Sequence, residues 1–259
     1  MSATPFGRML REWRGRRGLS QLALATQAET TPRHLSFIET GRSRPGRDLV
    51  LRLADAMEIP VRHRNALLEA AGLGRAYAER DLEEQDLRPF VDAVEMVLRN
   101  HDPYPGCAMD GYGQVRRTNA AFERLWPGAL AMTPEQNIDA FFGPGPAREM
   151  LENWAELAWR DVDMRKQEAV RVGDARLHVL ADRAEQHLAD TPRPRAPDLT
   201  AAPVVCPRFR FGDQLVQTFS TVMRFEHAND VSLHELKVEL IFPAEPSAAA
   251  FFRMLAQPH

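Results

Sequence analysis

The chain has 259 residues, 44% of them hydrophobic and 27% charged, with a formal net charge of −3, the balance of a soluble globular protein. No run approaches the about 18 uninterrupted apolar residues of a membrane span, and the basic N-terminus lacks the apolar stretch of a secretory signal. Two distant cysteines, Cys107 and Cys206, supply neither a disulfide framework nor a CxxC metal clip. A reduced, cytoplasmic protein with no membrane partner and no cofactor or metal is expected.

The charge is unevenly placed. Residues 1–75 hold 13 arginines, no lysine and 7 acidic residues, a net +6, whereas the remainder holds 20 basic and 29 acidic residues, a net −9. A small basic module joined to a larger acidic one suits a grip on a polyanion, although such an imbalance also arises by chance, and motifs must decide.

Phe6, Met9, Leu10 and Trp13 recur at helical spacing and predict a first helix over residues 5–17, ended by Gly18. Ser20 is an N-cap candidate for a second helix carrying Leu22, Leu24 and Ala25. Thr31, followed by Pro32, opens a third helix with Leu35 and Ile38 inward, which stops before Gly41. Val50, Leu53, Ala54 and Met57 predict a fourth helix, and Ala66 to Ala71 a fifth, ended by Gly72. The string Ser20-Gln21-x-x-Leu24-Ala25, then Thr30-Thr31-Pro32-Arg33-His34-Leu35-Ser36-x-Ile38-Glu39-x-Gly41-Arg42-x-Arg44-Pro45, resembles the XRE (lambda repressor-like) helix-turn-helix family over nearly all of residues 6–60. The family usually has glycine at the turn, where this chain has Glu29.

The resemblance implies double-stranded DNA as partner. In this docking geometry the third helix lies in the major groove with its N-terminal residues at the base edges. Pro32, Arg33, Ser36 and Phe37 are then the base-reading residues, with Arg33 suited to guanine. Gln21, Thr31, Arg42, Arg44 and Arg47 would hold phosphates. Phe37 is alternatively core and the three arginines a solvated turn. Glu39 falls where the family places a carboxylate that steadies the helix pair, for which Arg14 is a candidate partner.

Residues 74–88 are densely charged and are expected to form a helical linker between an N-terminal domain at 1–73 and a second domain at 89–259, and to carry any signal between them. Phe90 to Leu98 predict a helix. Strands follow at 106–110 and 114–118, then a helix capped by Asn119. Residues 133–190 read as mainly helical and 191–197 as an exposed loop. Alternation then gives strands at 204–211, 215–225 and 236–242, and a last helix carries Phe251, Phe252, Met254 and Leu255. The whole predicts an α+β chain: a five-helix, all-α helix-turn-helix domain followed by a PAS-like antiparallel sheet with a helical insert, covered on one face.

Asn65-Ala66-Leu67-Leu68-x-Ala70-Ala71-Gly72, His101-Asp102-x-Tyr104-Pro105, Asn119-Ala120, Asn153-Trp154 and Glu239-Leu240-Ile241-Phe242-Pro243-Ala244 together resemble the ligand-binding domain of MmyB-like regulators, a PAS-like fold behind an XRE helix-turn-helix. The resemblance implies an apolar small-molecule site with a fatty acid-like ligand. Phe122, Trp126, Phe142, Trp154, Phe209, Phe219 and Phe242 are the pocket candidates, and Arg160, Arg165 or Arg224 a carboxylate anchor; each aromatic is alternatively core and each arginine a surface charge. No P-loop, GxSxG or HExxH string is present, so no catalytic residue is assigned and no enzyme is expected. The function expected is a sequence-specific DNA-binding transcription regulator, dimeric on a near-palindromic operator, responding to a small apolar ligand. The alternative is a regulator whose C-terminal domain only dimerises or recruits a protein.

Overall fold

The computed structural model describes residues 4–195 and 206–256, which divide into two units. Unit 1 comprises the chain through Arg80 together with His227–His234. Its helices are α1 (Pro5–Arg16), α2 (Gln21–Gln27), α3 (Pro32–Glu39), α4 (Arg47–Ala56) and α5 (Val61–Ala70). Three of them start as their sequence dictates. The side chains of Thr4, Ser20 and Thr31 accept from the backbone amides of Gly7, Ala23 and His34, and prolines occupy the first positions of α1 and α3, where a missing N–H costs nothing.

Leu10, Leu24, Leu35, Ile38, Leu53 and Leu68 meet at the centre of this unit. A Cβ on Gly7 would lie 2.5 Å from the carbonyl oxygen of Glu39, so α1 crosses α3 at a distance only glycine permits. Glu29 occupies the α2–α3 turn at φ 51°, the left-handed conformation that glycine would adopt without strain.

The expected linker helix over 74–88 does not form. Residues 74–84 are extended or turn, 85–87 make one 3-10 turn, and a helix begins at Arg88. Asn65 explains the first part. Its Oδ1 accepts from the amides of Ala76 and Tyr77 and its Nδ2 donates to the Tyr77 carbonyl, so the backbone hydrogen-bonds to a side chain in place of a helical ladder. Further on, the Asp81 side chain accepts from the Glu83 amide, a local turn that competes with helix. The neighbouring Ala78 pairs with Asp230 and its carbonyl accepts from Val231, which places 227–234 in this unit.

Unit 2 comprises Asp81–Glu226 and Glu235–His259. Its sheet contains β1 (Gly106–Met109), β2 (Val115–Thr118), β3 (Arg208–Phe211), β4 (Gln214–Arg224) and β5 (Lys237–Pro243), antiparallel throughout, in the order β2-β1-β5-β4-β3. The helical insert holds α7 (Ala120–Leu125), α8 (Pro134–Phe142), α9 (Pro146–Met150), α10 (Trp154–Val172) and α11 (Ala175–Gln186). The flanking helices are α6 (Arg88–His101) and α13 (Pro246–Leu255); α12 (Val231–Glu235) comes between β4 and β5 in chain order, and all but its last residue belong to unit 1.

Strand residues alternate between faces, and both faces are covered where one was expected. Ala108 and Val238 pack with Val94 and Leu98 of α6 on the outer face. Cys107 packs on the inner face with Val115 and Ala129, against Met109, Phe122 and Trp126. The longer strand expected at 204–211 begins at Arg208, and its first two residues, like 196–197 of the expected loop, lie outside the described residues.

Two buried asparagines hold this unit together. Asn119 caps α7 by accepting from Phe122, accepts from Gly106, and donates to the carbonyls of Leu98 and Tyr104. Asn153 accepts from Arg208 and donates to the Cys206 carbonyl, fixing the start of α10 to β3. An amide side chain has one acceptor and two donors, so each satisfies several backbone groups that would otherwise be orphaned.

Candidate DNA interface and ligand pocket

The α2–α3 pair is braced from within. Arg14 donates from Nε to Glu39 Oε1 at 2.7 Å and from Nη2 to Oε2 at 3.1 Å, and Gln21 Nε2 donates to Oε2 at 2.9 Å. Burial alone would push the Glu39 carboxyl up, but hydrogen bonds from Arg14, Gln21 and Arg11 and the Arg14 charge hold it below its ordinary range. Gln21, expected on a phosphate, is thus engaged with Glu39.

Thr31, Pro32 and Arg33 are exposed at the start of α3, and Ser36 and Phe37 are partly exposed one turn on. The four base-reading candidates therefore share one accessible stretch of helix. The guanidinium of Arg33 lies 5.4 Å from the centre of the Phe37 ring and that of Arg42 lies 5.9 Å from it, within cation–π range. Arg42 and Arg44 are exposed in the following loop, whereas Arg47 donates to the Gly74 carbonyl at 2.8 Å. His34 was missed as a positioning residue: its ring lies 3.2 Å from the Thr30 hydroxyl and 3.4 Å from that of Ser43, spanning the turns before and after α3. Spacing alone gives no signal for such a bridge.

The seven aromatic candidates of unit 2 separate into three groups. Phe122 stacks on Trp126 with centroids 6.0 Å apart, and Trp126 meets Phe209 edge-on at 6.0 Å, all on the inner face of the sheet. Phe142 and Trp154 lie in the core beneath the insert, the Trp154 indole donating to the Phe141 carbonyl under the guanidinium of Arg148, 4.0 Å from the ring. Phe219 and Phe242 stack on each other at 5.5 Å, and Phe242 packs edge-on to His101 of α6, so this pair belongs to the outer face. Of the arginine candidates, Arg165 is paired with Asp161 at 2.7 Å, while Arg160 and Arg224 are exposed.

The inner face also carries charge that the aromatic pattern gave no reason to expect. Lys237 Nζ lies 3.7 Å from Glu168 of α10, and burial pulls its ammonium below the ordinary range, partly offset by Glu168. Burial pushes the Glu239 carboxyl up, opposed by a hydrogen bond with Ser220 and assisted by the charge of Asp161. The signal was available in the sequence: β5 reads Lys-Val-Glu-Leu-Ile, and an acid at an inward position of an apolar strand needs a reason. Among the described residues no cluster of three or more His, Cys, Asp or Glu is placed to hold a metal, and no helix is long and apolar enough to cross a membrane.

Two family profiles match the chain. A helix-turn-helix domain covers residues 5–67, and the MmyB-like transcription regulator ligand binding domain covers residues 91–255. No curated protein matches it. The helix-turn-helix in unit 1 gives the chain DNA as its partner, and the domain that follows gives it a small-molecule ligand. With well over half its length in the second profile, the chain belongs to the MmyB-like transcription regulators, as a DNA-binding regulator with a C-terminal ligand-binding domain.

Proposed function

We propose that the protein is a sequence-specific, non-enzymatic transcription regulator of the cytoplasm, binding a near-palindromic operator as a homodimer and changing its operator affinity when a small apolar ligand enters the C-terminal unit. Arg33, Ser36, Phe37 and Pro32 read bases, and Thr31, Arg42 and Arg44 hold phosphates. The ligand sits against Phe122, Trp126 and Phe209; fatty acids are the class the resemblance implies. The observation carrying this reading is that one chain joins an accessible α3, with Arg33 and Arg42 exposed, to a sheet whose inner-face aromatics Phe122 and Trp126 remain partly exposed. A pocket of mainly apolar lining with few polar groups is the usual form of a small-molecule site.

Coupling requires a ligand with different affinity for two states, and about 1–3 kcal/mol of coupling shifts operator affinity roughly 5–150-fold. The test titrates genomic fragments, the gene's own upstream region included, with full-length protein at graded salt. It is repeated with straight-chain acids, alcohols and amines of graded length, each also screened for thermal stabilisation. One fragment should be preferred, with binding weakened by salt and altered by at least one ligand. Equal affinity for every fragment overturns specific reading. Specific binding that no ligand alters, with no thermal stabilisation, assigns the C-terminal unit to dimerisation or recruitment instead.

A further inference from the structure

Phe37 stands next to Ile38 in α3, but the two side chains face different surroundings. Leu35 and Ile38 are fully buried at the centre of unit 1, whereas Phe37 is partly exposed and is no member of that core. Its neighbours are cations. The guanidinium carbons of Arg33, one turn earlier, and of Arg42, in the following loop, lie 5.4 Å and 5.9 Å from its ring centre. Among the described residues no ion pair takes either arginine, unlike Arg14 with Glu39 or Arg64 with Asp55. Two unmatched cations beside one exposed ring suit a polyanion that carries apolar groups of its own.

The backbone holds this group in place. The Phe37 carbonyl accepts from the Arg42 amide at 2.7 Å and from the Ser43 amide at 3.2 Å, and the Ser43 hydroxyl lies 3.4 Å from the His34 ring. The loop that carries Arg42 is thereby tied to α3 at Phe37. Positions four apart on a helix share a face, so Arg33 and the Phe37 ring turn to the same side.

We infer that Arg33 and Phe37 read one combination of adjoining base pairs: a guanine next to a 5-methylpyrimidine, the methyl group being recognised whether thymine or 5-methylcytosine carries it. The inference deepens the base-reading assignment of α3 and rests on it. The fork of an arginine matches O6 and N7 of guanine. A phenyl ring has no donor or acceptor for the hydrogen-bond pattern of a base pair, and the apolar group that the major groove offers it is the methyl on pyrimidine C5. Base pairs stack about 3.4 Å apart. A guanidinium 5.4 Å from the ring centre therefore puts the two readers on neighbouring pairs.

This division of labour has a consequence for modified DNA. Cytosine methylated at C5 presents the same methyl group at the same place in the groove as thymine does. Unmodified cytosine leaves the ring without its contact. Methylation of a cytosine beside the recognised guanine therefore strengthens binding, a response that a side chain reading the base by hydrogen bonds would not give.

The experiment first selects binding sites from random duplex DNA with the full chain. In the selected site, each thymine in a base pair adjoining a preferred guanine is then replaced in turn by deoxyuridine, which removes the methyl and keeps every hydrogen-bonding group. Affinity, followed by fluorescence anisotropy, should fall about fourfold at one such position, the scale of one buried methyl group. At the same position 5-methylcytosine should bind about fourfold tighter than cytosine. Phe37→Ala, which removes a ring outside the core, should bind the thymine and uracil duplexes equally. Arg44→Ala should weaken both duplexes alike and keep their difference. A selected site with no thymine beside a guanine, uracil duplexes that all bind as well as thymine, or a difference that survives Phe37→Ala overturns the inference while specific reading by α3 stands. If selection yields no preferred sequence, specific reading falls and this inference with it.

Discussion

Arg14 and Glu39 meet in a two-pronged contact that joins α1 to the last turn of α3, with the Glu39 side chain only 1% exposed. Gln21 brings α2 to the same carboxylate. Removing one partner of a buried pair strands the other, at a cost of about 3–5 kcal/mol. Glu39→Ala is therefore expected to lower the urea midpoint of the N-terminal transition strongly and to weaken DNA binding only through the lost fold. A cost of under about 1 kcal/mol, the scale of an exposed pair, would show that the contact does not hold the helices.

The same pair sets a dependence on acid. Glu39 is held below the ordinary carboxylate range in the folded protein, so its contribution is fully present above the unfolded value of about 4.3. That contribution is lost as pH falls through the lower, folded value. Urea unfolding followed from neutral pH downward should show a steeper loss for the wild type than for Glu39→Gln, which has no charge to lose. Parallel curves would assign the acid sensitivity to other carboxylates.

Glu29 pays for its left-handed backbone at φ 51°. An L-residue there costs roughly 1–2 kcal/mol, and glycine relieves it while adding some chain entropy to the unfolded state. Glu29→Gly should raise the thermal midpoint, with a net gain of up to about 1 kcal/mol. A lower midpoint would mean that the Glu29 side chain contributes more than its backbone costs.

Arg33 and Arg44 should separate specificity from strength. Arg33→Ala is expected to cost about 1–3 kcal/mol at one base position and to relax the preference there. Arg44→Ala should weaken all sequences alike and reduce the log–log salt slope by about 0.9. Binding sites selected from random DNA by each variant provide the comparison. If Arg44→Ala changes the preferred bases and Arg33→Ala does not, the register of α3 in the groove is wrong.

Phe209 and Trp126 touch edge-on, yet they should respond differently to truncation. Phe209 is 2% exposed in the main core of the second unit, and Phe209→Ala should cost about 3–5 kcal/mol in unfolding free energy. Trp126 is only partly buried, so Trp126→Ala should cost less stability and remove proportionally more ligand affinity. Equal stability losses, with ligand affinity unchanged in Trp126→Ala, would place Trp126 in the core alone.

The N-terminal helices were legible because caps and period agree: Thr4, Ser20 and Thr31 each mark a start that the backbone amides use. The linker was not legible because Asn65, at least 11 positions away, decides its backbone, and composition carries no trace of that contact. The aromatic candidates were recognisable as inward residues, but not which face each served. Phe209 and Phe242 lie in similar alternating strings, and only the pairing of β4 with β5 and the position of α6 put them on opposite sides. Glu239 was visible as an acid in the apolar string of β5 but was read as part of a family string, and how far it is solvated depends on neighbours from β1, β4 and α10.

The membership of His227–His234 in the N-terminal unit makes the two units inseparable as contiguous fragments. The polypeptide passes from one unit to the other at residue 80, again after residue 226, and once more after residue 234. The last two passages both fall in the connection between β4 and β5, neighbours in the sheet. A fragment that begins at residue 81 still carries Val231 and Leu233 of α12, which the intact chain buries, but lacks the Ala78 carbonyl that accepts from the Val231 amide. A single proteolytic nick near residue 80 leaves Val231 bonded to the carbonyl of Ala78 and Ser232 to that of Arg80, so the pieces are held by more than the severed peptide.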